Sequence, residues 1–242
     1  MTTDVLVVTS LYRPNYLWFN SVVNQKYTIG RLDLFQMYLG YPKEEARGID
    51  TITHKMNEAR GVFLSVNGSG SYDYMISLED DNIILRDTDI QSLVESAIAY
   101  DAGVIYSPYV FRNANNLSSC AVALNPDKGY YYTADKFVLN YSNWLQGKDI
   151  VECDGMGLGF TCISRDTLAK IEFRQQTARE IENWGYVAHC DTTFSVDCIN
   201  AGIKQYCNFG IPNGHIHYDE KTAYIMIPDY RHTGFIRKEY IE

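Results

Sequence analysis

The sequence predicts an α/β fold: a mixed, mostly parallel sheet flanked by helices. Three observations carry this. Short apolar runs alternate with stretches of helical spacing, the rhythm of strand, helix, strand. The runs are continuous rather than alternating, as strands covered on both faces are. One of them, Tyr74-Met75-Ile76-Ser77-Leu78, ends abruptly in Glu79-Asp80-Asp81-Asn82. Strand ends of this kind are where α/β sheets collect ligands.

The elements follow in order. Val5-Leu6-Val7-Val8 is a buried first strand that breaks at Thr9-Ser10, with Pro14 near a helix start. Thr53 to Ser65 places Met56, Ala59, Val62 and Phe63 at helical spacing and stops at the turn Asn67-Gly68-Ser69-Gly70. The acidic strand comes next. Thr88 to Ala99 is an amphipathic helix with Ile90, Leu93, Val94 and Ala97 on one face. It ends at Asp101-Ala102-Gly103, before the strand Val104-Ile105-Tyr106. Right-handed crossovers join such units. From Pro108 to about Asp149 the pattern dissolves into an Asn-, Tyr- and Ser-rich excursion, and long excursions of this kind are often functional. Order resumes near Val151. A Gly-rich turn leads into the strand Phe160-Thr161-Cys162-Ile163, then a helix over 166–171. Asp191 to Asn200 reads as a helix closed by Ala201-Gly202. A last strand, Ile203 to Cys207, leads to Gly214-His215-Ile216-His217.

At 242 residues, 46% hydrophobic and 21% charged, the chain has enough apolar material for one large domain. The formal charge of −9, from 21 basic and 30 acidic residues, argues against nucleic acid as a partner, since that needs a basic surface. No run approaches the roughly 18 apolar residues of a membrane span. The start Met1-Thr2-Thr3-Asp4-Val5 lacks the features of a signal peptide, so the expected location is cytoplasmic. Six cysteines without a C-x-x-C pair are then reduced core thiols, and the sequons at Asn67, Asn116 and Asn140 go unused.

Three adjacent carboxylates repel one another, and a bound divalent cation relieves that cost. Carboxylate oxygens suit Mg²⁺ or Mn²⁺. A solvated acidic turn is the competing reading. His215 and His217 share one face of an extended segment and offer imidazole ligands from a distance. Gly155-Met156-Gly157-Leu158-Gly159 precedes a strand rather than a helix, so it is a backbone approached closely by a ligand, or a tight turn, rather than a dinucleotide loop. Asp191 opens its helix as an N-cap or stands at the cleft mouth as a general base. Tyr130 to Tyr132, Trp144 and Trp184 are candidates for stacking on sugar faces, with packing as the alternative for most of them.

Taken in order, these motifs resemble the GT-A fold glycosyltransferases, especially the broad family 2-like group. They are Thr9-Ser10-Leu11-Tyr12-Arg13-Pro14, Asn57-Glu58-Ala59-Arg60, the acidic strand end, Asp154-Gly155-Met156-Gly157-Leu158-Gly159-Phe160, Asp191-Thr192-Thr193-Phe194 and Gly214-His215. The resemblance spans residues 4–217, implying a GT-A domain over 1–217 with the acceptor-side excursion at about 108–150. Residues 218–242 are left as a tail that packs on or extends the domain. The resemblance implies that Asp81 ligates Mn²⁺ or Mg²⁺ and that His215 completes the metal shell. Glu79 and Asp80 then contact ribose or a metal-bound water. Thr9 and Arg13 hold base and ribose, Asn57 and Arg60 approach base and phosphates, and Asp154, Gly155 and Gly157 lie under the donor sugar. Asp191 is the base of an inverting reaction. The partners implied are a nucleotide-sugar donor and a glycan or other hydroxyl acceptor. A nucleotidyltransferase acting on sugar phosphates is the nearest rival, but it would carry a Gly-rich, basic loop after the first strand, where Thr9 to Pro14 has only Arg13 and no glycine. A carbohydrate-binding protein without catalysis would bind sugar and leave nucleotide sugars intact.

Overall fold

Val5, Leu6, Val7 and Val8 open strand β1 (Val5–Leu11), and all four are buried. Leu6 and Val8 enter one core, Val5 and Val7 another, because successive side chains of a strand point to opposite faces. The computed structural model that shows this describes residues 2–11, 16–38, 49–65, 71–110, 124–125, 129–130, 149–185, 187–218, 223–229 and 234–240.

β1 lies between and parallel to β2 (Leu32–Tyr38) and β3 (Tyr74–Glu79). The sheet continues through β9 (Phe160–Ser164), β5 (Val104–Tyr106), β10 (Gln205–Asn208) and β8 (Ile150–Glu152), in the order β2-β1-β3-β9-β5-β10-β8. Only β9 and β8 run against the other five, so the sheet is mixed and mostly parallel, as the sequence predicts. Helices α2 (Ile49–Ser65), α4 (Arg165–Lys170) and α6 (Cys190–Asn200) cover one face through Met56, Ala59, Phe63, Leu168, Phe194 and Cys198. Helices α1 (Tyr16–Val23) and α3 (Asp89–Ala99) cover the other through Trp18, Val22, Ile90, Leu93, Val94 and Ala97. Each helix has one apolar stripe, and a sheet with two apolar faces buries both.

A second sheet, β13-β12-β11-β4, grows from the end of the first. The acidic strand turns at Asp80 and Asp81 and continues as β4 (Asn82–Ile83). β4 pairs with β11 (Gly214–Tyr218), setting His215 opposite Asn82. β12 (Ala223–Asp229) and β13 (Gly234–Tyr240) extend the sheet as an antiparallel pair. Pro228 is paired with Phe235 of β13 but lies beyond the residues of β12 that pair with β11, so its missing N–H leaves no gap on that side.

The sequence reading leaves β2, β4, α5 (Ala178–Trp184), β12 and β13 unassigned. α5 is legible afterwards in its ends. Thr177 and Glu180 form a reciprocal capping box, and Gly185 closes the helix at φ 74°. Trp184 packs with Ala188 and Val196 in a small core of its own rather than presenting a face to a ligand. Within the excursion, β6 (Leu124–Asn125) and β7 (Gly129–Tyr130) form a short antiparallel pair. Its remainder beyond Val110, including Tyr131, Tyr132 and Trp144, lies outside the described residues, as do Arg13, Pro14, the 67–70 turn and the three sequon asparagines. Cys153, Cys162, Cys190, Cys198 and Cys207 are buried thiols that form no disulfide among the described residues.

Candidate functional site

The acidic turn sits where β3 leaves the sheet. Glu79 still belongs to the ladder, donating its N–H to the Gly159 carbonyl at 2.9 Å. Asp80 and Asp81 then turn the chain into β4, and the Ile216 N–H is held by the Asp81 carbonyl at 2.7 Å. This backbone bond and the Asn82–His215 pairing bring two sequence-distant candidates together. Asp81 Oδ2 lies 3.3 Å from His215 Nε2, with the side chains 19% and 7% exposed. The other ring nitrogen, His215 Nδ1, lies 2.6 Å from the Val110 carbonyl. Donation from Nδ1 to that carbonyl leaves the Nε2 lone pair facing the carboxylate, the tautomer that a ligating histidine needs. His217 falls on the same face, its Nε2 3.4 Å from the same carbonyl, with its ring stacked on Tyr224.

Val110 is in place because the chain after β5 is braced. Asn213 donates its amide to the carbonyl of Ser107 at 3.1 Å and to its hydroxyl at 2.9 Å, while its backbone N–H bonds Pro108. The Tyr109 ring then stands edge-on to His215, centroids 5.2 Å apart.

The Gly-rich turn closes the other side. Gly155 has φ 153°, a backbone that L side chains rarely adopt. A Cβ on Gly157 would lie 2.1 Å from the Tyr109 hydroxyl and 3.6 Å from Asp191 Oδ2. A Cβ on Gly159 would lie 2.7 Å from the Asn82 amide nitrogen. The glycines are therefore needed for close approach, and they put Asp191 and the acidic turn on either side of one loop. Asp154 contributes its carbonyl, which accepts from Gln205 at 2.9 Å. The same amide reaches Ser195 on α6 at 3.2 Å, tying the turn to that helix.

Asp191 is the second residue of α6, and His189 takes the N-cap position, so the N-cap reading of Asp191 is corrected. Its Oδ1 accepts from the Thr192 N–H at 2.7 Å and the Thr192 hydroxyl at 3.3 Å. Burial raises its pKa above the ordinary aspartate value, against the pull of those hydrogen bonds and of His189. Next to it, burial pushes the Cys190 thiol up to about 12, with the charges of Asp191 and Glu79 adding to the shift. Glu79 and Asp191 thus face one neighbourhood from β3 and α6.

Other sequence candidates stand apart. Asn57 clasps the Phe173 backbone, its Oδ1 accepting from the N–H at 3.1 Å and its Nδ2 donating to the carbonyl at 2.5 Å. Arg60 donates to the Leu168 carbonyl at 2.6 Å and to Glu172 at 3.1 Å. Both dock α2 on α4 and the segment that follows it, so their polar atoms are committed there and not to the acidic turn. Thr9 sits beside Leu78 in the ladder, fully buried, its hydroxyl without a hydrogen-bond partner among the described residues. Two residues to which the sequence reading gives no role belong to the cluster: Asn82 and Tyr109. Asn82 ends the Glu-Asp-Asp-Asn run and was visible there; Tyr109 has no local signal, because only the fold brings it to Gly157.

The donor set can be weighed on this geometry. Among the described residues no group of three or more His, Cys, Asp or Glu side chains is gathered to enclose a metal. Asp81 and His215 supply one oxygen and one nitrogen, and next to them the buried Asn82 Oδ1 has no hydrogen-bond partner among the described residues. Such a pair fits a cation whose remaining positions are filled by a phosphate-bearing ligand and water, the usual habit of cations in nucleotide sites.

No family model and no curated protein matches the sequence. Solved structures do match its shape. A197 from STIV superposes with a TM-score of 0.56 at 17% identity, covering 91% of this chain and 89% of that one. At this identity the likeness shows the fold, which extends over nearly the whole of both chains. CMP:2-keto-3-deoxy-manno-octonic acid synthetase, in complex with CTP, matches at a TM-score of 0.45 and 12% identity, over 85% and 89% of the chains, too slight a likeness to carry an argument. No helix among the described residues is long and apolar enough to cross a membrane.

Proposed function

We propose that the chain is a metal-dependent transferase that moves a sugar from a nucleoside-diphosphate sugar to an acceptor hydroxyl. The observation that carries this reading is the Asp81–His215 pair, set at the end of β3 across the Gly157 turn from a buried carboxylate of raised pKa. The two halves have different work. Asp81 and His215 would hold a divalent cation, and an imidazole in the donor set favours Mn²⁺ over Mg²⁺. When bound, the cation neutralises charge on the departing diphosphate. Asp191 accepts the proton of the acceptor hydroxyl as that oxygen attacks the anomeric carbon and the bond to phosphate breaks. A carboxylate whose pKa is raised by burial is a stronger base than an ordinary one. The N-terminus of α6 sits under it and tempers the cost of its charge. Gly155 takes a backbone that side chains rarely adopt and Gly157 gives its place to the Tyr109 hydroxyl, so the turn packs closely between Asp191 and the acidic turn. Attack from the face opposite the diphosphate gives inversion.

The test is a screen of nucleotide sugars with Mn²⁺, scored by release of the nucleoside diphosphate and by transfer to sugar acceptors. The parent should turn over at least one donor, and Asp81→Asn should reduce turnover to background while melting at the parent temperature. Full activity of the parent in excess chelator removes the metal from the reading. Release of pyrophosphate from a nucleoside triphosphate and a sugar phosphate would replace it with nucleotidyl transfer.

A further inference from the structure

We propose that Asn82 is the positioning residue of the cation site: it holds Asp81 so that only one carboxylate oxygen is offered to the metal. The inference rests on the cation reading of Asp81 and His215 and goes beyond it. Asn82 is fully buried. Its Nδ2 donates to Asp81 Oδ1 at 3.1 Å and reaches Glu79 Oε2 at 3.5 Å. The Asp81 oxygen that faces His215 is the other one, Oδ2. One amide therefore fixes the inner oxygen of Asp81, points the outer one at the imidazole, and stands near the neighbouring Glu79 carboxylate. Asn82 is also the cross-strand partner of His215, so it sets both members of the pair from one position.

Two further observations mark it as more than packing. Its buried Oδ1 has no hydrogen-bond partner among the described residues, so the amide is satisfied on its donor side only. And Gly159 is bare where any side chain would meet the amide, at 2.7 Å from Nδ2 and 2.9 Å from Oδ1 and Cγ. The fold keeps an open wall behind Asn82 and holds its amide against that wall. Residues that orient ligands in this way control affinity without touching the ion.

Mn²⁺ alone, titrated into the full chain by calorimetry and followed by its electron paramagnetic resonance signal, reads the effect without any assay of turnover. Asn82→Leu keeps the volume and branching and removes both polar atoms. Its Mn²⁺ dissociation constant should rise about 10- to 100-fold, the usual scale for loss of a residue that orients a ligand. Its melting temperature should equal or exceed the parent's, because a half-satisfied buried amide has gone. A folded Asn82→Leu protein with parental Mn²⁺ affinity overturns the proposal. Should that variant not fold, Gly159→Ala carries the test, since its methyl displaces the amide and leaves both ligands in place; the same weakening is expected, and parental affinity again overturns the proposal. Asp81→Asn separates the two levels. Parental Mn²⁺ binding in Asp81→Asn defeats the cation reading itself, whereas loss there with unchanged binding in Asn82→Leu defeats the role of Asn82 alone.

Discussion

Two groups of carboxylates in this chain are built from the same residue types and differ in what faces them. At α5 and α6, Arg174 forks between Glu180 and Asp197. Its Nη1 and Nη2 reach the Glu180 oxygens at 2.7 Å each, and its Nε and Nη2 reach those of Asp197 at 2.7 and 2.8 Å. At the acidic turn, Asp81 faces an imidazole and an amide. Exposure does not separate them: the side chains of Glu180, Asp197 and Asp81 are 21%, 23% and 19% accessible. The partner does. A guanidinium satisfies a carboxylate bidentately and for good, and it holds Glu180 down to about 2. A neutral amide donating to Asp81 Oδ1 holds that carboxylate in place without consuming its charge, and across the turn burial raises Asp191 instead. One cluster is arranged to hold the fold; the other, under the proposed function, is left to meet a ligand. Substitutions that exchange their behaviour would break the contrast.

The largest effect is expected at Asp191. Asp191→Asn can still accept the Thr192 N–H but cannot take a proton from a hydroxyl, so transfer should fall on the order of 10²-fold or more, with donor affinity unchanged. Stability should move the other way. Because the folded-state pKa is raised, the folded chain keeps this proton over a pH range in which the unfolded chain has released it. Ionised Asp191 therefore opposes folding, and more so as pH climbs from the ordinary aspartate value of 3.8 through the raised one. The asparagine variant should melt above the parent at pH 7, and the gap should close as pH falls below that ordinary value. An asparagine variant as active as the parent, or one that melts lower at pH 7, would place Asp191 with the structural carboxylates.

The sequence made the sheet and the acidic turn readable, and for a physical reason: both are local. Val5 to Val8 and Tyr74 to Leu78 are continuous apolar runs, and Glu79 to Asn82 interrupts one of them within four residues. The pairing of Asp81 with His215 is not local, since the two lie 134 positions apart and the β4–β11 register joins them; the resemblance, not the spacing, nominated that histidine. Asn57 and Arg60 show the converse. A helix carrying Asn and Arg one turn apart is compatible with phosphate binding or with docking, and the carbonyls at Leu168 and Phe173, invisible in sequence, decide what their polar atoms do. β2 escaped because Asp33 and Gln36 interrupt this edge strand, leaving it without a continuous apolar run. β12 and β13 escaped because their partner is another late strand and not the main sheet.

A middle-sized effect belongs to the clamp. Arg174→Met keeps the stem of the side chain and leaves Glu180 and Asp197 facing each other without their cation. The cost should be about 2–3 kcal/mol, below the range for fully buried pairs because the group is partly exposed. Glu180 has a depressed pKa, so its pairing stabilises the fold above the ordinary glutamate value of 4.5 and loses that contribution as pH falls from there towards 2. Chemical denaturation across that range should show the parent and variant converging at the acid end. Mn²⁺ affinity should stay parental throughout, and a variant that lost it would show that the two clusters are coupled through α6.

The smallest effect is expected at Thr9, and it sharpens the contrast because the resemblance nominates this residue for the site and yet it is buried like core. Its side chain is fully buried on β1, opposite Leu78 in the ladder, and its hydroxyl has no hydrogen-bond partner among the described residues. A group so covered reaches a nucleotide only if its neighbours move. Thr9→Val preserves the branching that the strand favours and exchanges an unsatisfied hydroxyl for a methyl. Where the hydroxyl does nothing, that exchange should raise stability by up to about 1 kcal/mol, the scale of relieving one buried polar atom. Affinity for a nucleoside diphosphate should then stay within about twofold of the parent, less than the loss of one hydrogen bond would cause. A valine variant that is more stable yet binds the nucleotide about tenfold more weakly would return Thr9 to the ligand, as a hydroxyl desolvated in advance of the ribose or base it meets.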